Sequence, residues 1–87
     1  MKKEKKETRT NAGYLIFKEE NYSKTFGICI GANQNGFVTW QFSEFENQER
    51  SYFWGHYFTS RDAAMCDYHQ RLALEYETNF VKYTEEP

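Results

Sequence analysis

The sequence has few of the residues on which small proteins build disulfide frameworks or membrane spans. It carries one proline and two cysteines, Cys29 and Cys66, in 87 residues. Two cysteines are too few for the disulfide framework of a small secreted domain, and no apolar signal segment follows the charged N-terminus. No apolar run approaches the roughly 20 residues that span a bilayer. We therefore expect a cytoplasmic protein that does not enter a membrane.

The motifs of common catalytic sites are also missing. The sequence contains no Gly-x-Ser-x-Gly elbow, and no glycine-rich phosphate loop connects a strand to a helix. Its glutamates at 44–49 have polar neighbours, where the raised pKa of an acid catalyst is hard to sustain. We therefore predict a protein that is not an enzyme, with no catalytic residues and no cofactor.

The four cysteine and histidine side chains are the candidate ligands of a zinc site. Cys66 and His69 are spaced i, i+3 on a predicted helix, and Cys29 and His56 would complete four ligands. Structural zinc sites take their ligands in pairs from tight turns, whereas Cys29 and His56 are single residues in predicted strands. We therefore predict free cysteines and no metal.

What the sequence does contain is enough large apolar side chains for one folded domain. It is 39% hydrophobic and 20% aromatic, which is typical of a chain with a packed core. Five basic and two acidic residues make the first nine residues net +3, while the whole chain is −2. These features predict a disordered basic arm over 1–12, a single domain over 13–78 and a frayed tail over 79–87.

Four segments have the composition and alternation of strands, and a helical pattern follows them. The predicted strands cover 13–18, 26–31, 37–43 and 51–58. The Asn35-Gly36 pair predicts a hairpin turn between the second and third strands. The sequence therefore indicates an α+β domain, a four-stranded antiparallel meander followed by one C-terminal helix packed on the sheet.

Side-chain alternation assigns faces to the central strands. In the second strand, Gly27, Cys29 and Gly31 share one face, which invites close approach by a bulky neighbour. In the third strand, alternation predicts a buried face and a solvent face. The buried residues are Val38, Trp40 and Phe42, and the exposed residues are Thr39, Gln41 and Ser43.

The last predicted strand has aromatic side chains on both faces. Strict alternation places Tyr52, Trp54, His56 and Phe58 on one face, and Phe53 and Tyr57 beside Gly55 on the other. One of these two sets must be buried by another part of the protein or remain as an exposed hydrophobic patch.

The predicted helix begins with a capping box formed by Thr59 and Asp62 and continues to about Glu77. Its apolar stripe consists of Ala64, Met65, Tyr68, Leu72 and Tyr76.

Two aromatic blocks carry a resemblance to a known group of proteins. The blocks are Phe37–Phe42 (FVTWQF) and Tyr52–Tyr57 (YFWGHY), followed by a helix that opens at Asp62. This pattern resembles small uncharacterised proteins of plasmids and integrative elements of Firmicutes, and the likeness covers roughly residues 13–77. The usual proline-bearing turn before the first block is replaced here by Asn33–Gly36.

Accessory proteins of such mobile elements, including those of phages, often defeat host defences, and anti-CRISPR inhibitors include acidic domains of this size. The resemblance therefore implies an inhibitor that binds a host defence nuclease, a type II CRISPR effector, in the cytoplasm of a bacterial host. An acidic body with aromatic anchors fits a basic nucleic-acid channel. The predicted contact residues are Glu44, Glu46, Glu49, Arg50, Tyr52, Trp54 and Tyr57.

Two alternatives from other classes stay open. One is a nucleic-acid-binding accessory protein of conjugation or replication, which would use the basic N-terminal arm. The other is a homodimeric structural or regulatory module that associates through an exposed sheet edge.

Overall fold

The chain folds as one curled antiparallel sheet followed by one helix. A computed structural model describes residues 9–84, with side chains described through residue 78. The elements are β1 (Arg9–Asn11), β2 (Tyr14–Asn21), β3 (Phe26–Asn33), β4 (Gly36–Ser43), β5 (Ser51–Phe58) and α1 (Arg61–Thr84), and the strands lie in chain order. The predicted α+β class and the C-terminal helix are confirmed, but the prediction of four strands is wrong because the sheet has five.

The additional strand is β1, which lies in the segment predicted as a basic arm. Arg9 pairs with Ile16 and Asn11 with Tyr14, so this short segment extends the edge of the sheet beside β2. Arg9–Asn11 has no apolar alternation, and β2 supplies the ladder that orders it. The predictions made for residues 1–8 and 85–87 lie outside the described residues.

The predicted hairpin between β3 and β4 is confirmed. Its two-residue loop is stabilised by Asn33, whose Oδ1 accepts hydrogen bonds from the backbone N–H of Asn35 at 2.7 Å and of Gly36 at 3.2 Å. An asparagine side chain that accepts from the backbone two and three residues later favours a tight reversal. The β3–β4 register is fixed at this end.

Both faces of the sheet carry a buried cluster. The helix-side cluster consists of Ile28, Ile30, Ala64, Tyr68 and Leu72. The far-side cluster consists of Ile16, Cys29, Val38, Trp40 and Phe42, with Tyr14 and Tyr52 packed against it. The helix covers the first cluster, and the second is enclosed by the curl of the sheet and by its own aromatic side chains.

The prediction that one face of β4 is exposed to solvent is wrong. Thr39 is 0% exposed, and Gln41 and Ser43 are each 8% exposed. The Thr39 hydroxyl donates to Asp67 of α1, and the Gln41 amide donates to the hydroxyl of Tyr22. Thr39, Gln41 and Ser43 lie on the opposite face of β4 from Val38, Trp40 and Phe42, as predicted. That face is the helix side of the sheet, and it is buried as well.

Small and large residues alternate across the β3–β4 ladder. Gly27 lies opposite Phe42, and Cys29 lies opposite Trp40. A Cβ atom at residue 27 would collide with the ring of Phe42, so the glycine gives that ring its space. The predicted close approach of bulky neighbours to this face is confirmed.

The helix begins where the sequence indicates, but with a different cap. The Ser60 Oγ accepts a hydrogen bond from the backbone N–H of Ala63 at 3.2 Å, and the N–H of Ala64 donates to the Ser60 carbonyl at 3.1 Å. Ser60 is therefore the N-cap in place of Thr59. The helix continues to Thr84, beyond the predicted end near Glu77. Within residues 9–84, no helix has the length and apolarity that crossing a membrane requires.

Candidate functional site

The edge strand β5 contains a β-bulge where it pairs with β4. The register shifts between Thr39 and Gln41, so two residues of β5, Trp54 and Gly55, lie opposite the single residue Trp40. Trp54 has a φ of 54°, in the left-handed region that large side chains rarely adopt. A non-glycine residue there costs on the order of 1–2 kcal/mol. The bulge therefore holds a bulky aromatic residue in a strained backbone conformation.

Packing against Trp40 excludes a side chain from the second bulge position. A Cβ atom at residue 55 would lie 2.8 Å from Nε1 of Trp40 and 3.0 Å from its Cδ1. Such contacts are too close, so Gly55 is required where the indole of Trp40 approaches the backbone. The positive φ falls on the preceding residue, and that residue is Trp54.

The bulge exposes Trp54, and a second aromatic residue lies nearby on β5. Trp54 is 68% exposed and Tyr57 is 62% exposed. The Trp54 ring packs edge-on against Phe53 with 5.0 Å between centroids, and Tyr57 packs against Tyr14 with 6.2 Å between centroids. We call Trp54 and Tyr57 the β5 aromatic surface. Both rings are held by an aromatic neighbour on one side and are open to solvent.

The prediction that Tyr52, Trp54, His56 and Phe58 share a face is wrong. Tyr52 packs with the far-side cluster, whereas Phe58 packs with the helix-side cluster. A bulge adds one residue and reverses the alternation beyond it. Gly55 in the middle of an aromatic strand was the available signal, because an isolated strand glycine often marks a bulge.

Arg50 lies at the centre of an ion-pair network between the sheet and the loop that precedes β5. Its guanidinium donates to both carboxylate oxygens of Glu19, at 2.7 and 3.2 Å, and to Glu44 at 3.0 Å. It lies 3.9 Å from the centroid of the Phe42 ring, and its side chain is 6% exposed. Burial lowers the pKa of Arg50, but hydrogen bonds with Glu19, Tyr52 and Glu44 outweigh it and raise that pKa above its usual value.

This network makes Arg50 and Glu44 structural residues rather than free contact residues. Arg50 covers the end of the far-side cluster, and Glu44 is held between Arg50 and Arg9, whose guanidinium lies 3.6 Å from it. Tyr52 is half-buried against Trp40, with 5.4 Å between ring centroids. Three of the seven predicted contact residues, Glu44, Arg50 and Tyr52, therefore take part in the packing and ion pairs of the fold.

The remaining four predicted contact residues are exposed. Trp54 and Tyr57 form the β5 aromatic surface, and Glu46 and Glu49 lie in the connection between β4 and β5. We call residues 44–50 the acidic loop. The loop leads directly into β5, so its exposed carboxylates and the β5 aromatic surface belong to one continuous stretch of the chain.

A polar cluster on the helix side was not predicted from the sequence. The Oδ2 of Asp67 accepts the Thr39 hydroxyl at 2.6 Å and lies 3.0 Å from Nδ1 of His56. Arg71 donates to the carbonyl of Thr39 at 3.2 Å and to its hydroxyl at 3.0 Å. Burial lowers the pKa of Arg71, and Asp67 opposes that shift. These hydrogen bonds connect α1 with β4 and β5. The hydroxyl of this cluster, on Thr39, is buried.

The cysteine and histidine side chains that are candidate zinc ligands are separated in the structure. Cys29 is buried in the far-side cluster, while Cys66 lies exposed on α1. His56 faces the helix side, where it meets Asp67. Among the described residues, no three His, Cys, Asp or Glu side chains are grouped as metal ligands. Burial raises the pKa of the Cys29 thiol to about 12, so this cysteine stays protonated.

A shallow open cleft of about 480 Å³ lies at the end of the sheet where α1 begins. Aromatic walls and uncharged polar groups line it: Tyr14, Phe37, Tyr57 and Phe58, with Asn35, Thr59, Ser60 and Ala63. Its lining has no charged side chain that would bind a phosphate or a carboxylate. Tyr57 connects this cleft with the β5 aromatic surface.

No family model, no curated protein and no solved structure matches this chain. The described residues combine two exposed aromatic side chains on β5 with exposed carboxylates in the loop that precedes this strand. Such groups can bind a macromolecule through shape and charge.

Proposed function

We propose that the protein is a non-catalytic inhibitor of a mobile genetic element, which binds a host defence nuclease directly. The observation that carries this proposal is Trp54, which combines a φ of 54° with 68% exposure in a central position of an edge strand. Its side chain recovers little free energy from burial within its own domain. A partner protein that covers the indole would supply that burial.

Aromatic residues of this kind are the usual energetic centres of protein interfaces. Tryptophan and tyrosine are enriched among residues whose truncation costs at least about 2 kcal/mol of binding free energy. Trp54 and Tyr57 lie on the same strand, and each is held by a ring of its own domain. Their limited freedom lowers the entropy lost on binding.

The charge around this surface favours a basic partner. Glu46 and Glu49 are exposed, whereas the positive charge of Arg50 beside them is buried and paired with Glu19 and Glu44. The loop therefore presents two exposed carboxylates just before the strand that carries the aromatic side chains. Such a surface is complementary to the basic channel in which a nuclease holds nucleic acid.

The class of nuclease follows from the resemblance of the blocks that contain Trp40 and Trp54. Accessory proteins of mobile elements often inhibit CRISPR effectors, and a type II effector holds its guide–target duplex in a positively charged channel. We therefore propose a type II CRISPR effector as the partner, bound through the β5 aromatic surface and the acidic loop.

A cleavage assay with purified components tests this proposal. Type II effectors loaded with guide RNA are incubated with increasing protein before target DNA is added, and the cleaved fraction is measured. We expect inhibition by the wild-type protein and by Leu74→Ala, which truncates a residue of α1 that is 62% exposed. Trp54→Ala is expected to inhibit at least tenfold more weakly.

A second experiment distinguishes this function from nucleic-acid binding. A gel-shift experiment at several salt concentrations, without nuclease, measures whether the protein binds the guide or the target directly. Tight binding that weakens steeply with salt would identify a nucleic-acid-binding protein and remove the premise of inhibition through direct nuclease binding. Undiminished cleavage by every effector at excess protein would also overturn the proposal.

A further inference from the structure

We propose that Asn35 is a site of spontaneous deamidation and that the side chain of Asn33 slows this reaction in the folded protein. Asparagine is among the thermolabile residue types of proteins. Of the six asparagines in the sequence, only Asn35 precedes a glycine. This modification site lies in the loop between β3 and β4, and it does not depend on the proposed nuclease partner.

The reaction requires only two neighbouring residues of the turn and water. The backbone nitrogen of Gly36 forms a bond to Cγ of Asn35. Ammonia leaves, taking the bonding electron pair and the proton that the Gly36 nitrogen loses. Water then opens the resulting five-membered succinimide at either of its carbonyl groups. The products are aspartate and isoaspartate, in which the main chain continues through the side-chain carboxyl carbon, and neither product needs an oxidant or a reductant.

The fold requires glycine after Asn35. Gly36 has a φ of 150°, and a Cβ atom there would collide with the carbonyl oxygen of Phe58. The missing side chain also leaves the Gly36 nitrogen open to approach by Cγ of Asn35. Asn35 itself is exposed, so water reaches the ring that would form. The geometry of the hairpin therefore keeps a labile pair of residues in contact with solvent.

The side chain of Asn33 restrains the nitrogen that would react. Its Oδ1 accepts hydrogen bonds from the backbone N–H of Gly36 at 3.2 Å and of Asn35 at 2.7 Å. Its Nδ2 donates to the carbonyl of Gly13 at 3.3 Å, which fixes this acceptor between two turns. The Gly36 nitrogen must lose its proton to react, so its hydrogen bond to Asn33 has to be broken first. We therefore expect the unfolded chain to deamidate faster than the folded protein.

Deamidation would change the cleft at the end of the sheet, which Asn35 lines. Aspartate at this position places a negative charge in a lining that has no charged side chain, near Tyr57. Isoaspartate lengthens the main chain of a two-residue loop by one carbon. Because loop length fixes the register of a hairpin, this product is expected to disturb the pairing of β3 with β4.

Mass spectrometry after incubation at mildly alkaline pH tests the proposal. Proteolysis at successive times gives the converted fraction of each asparagine, and purified Asn35→Asp protein identifies the aspartate product. In guanidinium chloride, we expect Asn35 to convert faster than every other asparagine. In the folded wild type, we expect Asn35 to convert more slowly than in the denaturant.

Two variants of Asn33 separate the role of its oxygen from that of the hairpin as a whole. We expect Asn33→Ala to deamidate at Asn35 about fivefold faster than the folded wild type, which corresponds to the loss of one hydrogen bond of ordinary strength. Asn33→Asp keeps an acceptor oxygen but loses the donor to Gly13, and we expect it to protect Asn35 as the wild type does. Circular dichroism spectra establish that both variants are folded.

Three results would overturn the proposal. Conversion of Asn35 in denaturant that is no faster than that of the other asparagines would remove the modification site. Equal rates in the folded and the denatured wild type would remove the restraint by the fold, and this comparison needs no variant. Equal acceleration by Asn33→Ala and Asn33→Asp would show that the Asn33 oxygen does not protect Asn35. None of these measurements involves a nuclease, so they do not test the proposed function.

Discussion

The indole of Trp40 lies so close to the backbone of Gly55 that a Cβ atom at residue 55 would be 2.8 Å from its Nε1. This contact connects the buried far-side cluster with the strained conformation of Trp54. We predict that Gly55→Ala lowers the free energy of unfolding by about 1–3 kcal/mol, because the indole or the strand must move. Urea denaturation measures the change, and Ser51→Ala at an exposed position of the same strand is the control. Equal stability of both variants would contradict the close packing.

Relief of strain at residue 54 should stabilise the fold. Glycine adopts a φ of 54° without the steric strain that a tryptophan has there. We therefore predict that Trp54→Gly raises the free energy of unfolding by up to about 1 kcal/mol. The same variant should bind the proposed nuclease partner more weakly, because it lacks the indole. Trp54→Ala keeps the strain and is expected to be no more stable than the wild type. A large destabilisation by Trp54→Gly would show that the indole serves the fold.

Removing the charge of Arg50 should destabilise the protein strongly. We predict that Arg50→Met lowers the free energy of unfolding by about 3 kcal/mol or more, because Glu19 and Glu44 lose their shared partner. Arg50→Lys should recover only part of this loss, since lysine cannot reproduce the two parallel bonds to Glu19. The measurement is urea denaturation at neutral pH. A loss below 1 kcal/mol for Arg50→Met would mean that the network contributes little.

The fold is expected to lose stability at alkaline pH. Burial raises the pKa of Cys29 from 9.0 to about 12, and burial with nearby Glu75 raises that of Tyr22 from 10.0 to about 12, against the lowering effect of Arg71. The folded protein therefore holds both protons more tightly than the unfolded chain. Their stabilisation is complete below pH 9 and is lost as pH rises toward 12. Denaturation curves across this range check the prediction, and Cys29→Ala should lessen the dependence.

The two cysteines should differ sharply in reactivity. Cys66 is exposed on α1 and should react promptly with a thiol reagent at pH 8, whereas Cys29 is 0% exposed and protonated. We predict one reactive thiol in the native protein and two in denaturant. Cys66→Ser should leave none that reacts without unfolding. Rapid labelling of Cys29 in that variant would contradict the closed far-side cluster.

Much of the architecture could be predicted from local sequence patterns. The Asn35-Gly36 turn, the alternation of Val38, Trp40 and Phe42, and the approximate start of α1 are properties of short segments, although the cap is Ser60 and not the predicted Thr59. β1 could not be predicted this way, because Arg9–Asn11 becomes a strand through pairing with β2. The burial of Thr39 was missed for a similar reason, since it depends on where the helix lies.

The candidate site was predicted only in part, and the reason is the bulge. Alternation predicts one face for Tyr52 and Phe58, but the bulge between them reverses it, and a bulge depends on how β5 meets Trp40 across the ladder. Arg50 is among the predicted contact residues, in the polar loop before β5. Its carboxylate partner Glu19 lies 31 residues away in sequence, a separation that local patterns do not reveal.

We propose that Trp54 contributes most of the free energy of binding to a type II CRISPR effector, and an affinity measurement checks this role. Isothermal titration of the guide-loaded effector with wild-type protein, Trp54→Ala and Leu74→Ala gives three dissociation constants. We predict that the wild type and Leu74→Ala bind equally well, and that Trp54→Ala binds at least tenfold more weakly. Binding of Trp54→Ala that equals the wild type would contradict this role of Trp54, and no binding by the wild type to any such effector would contradict the proposed partner.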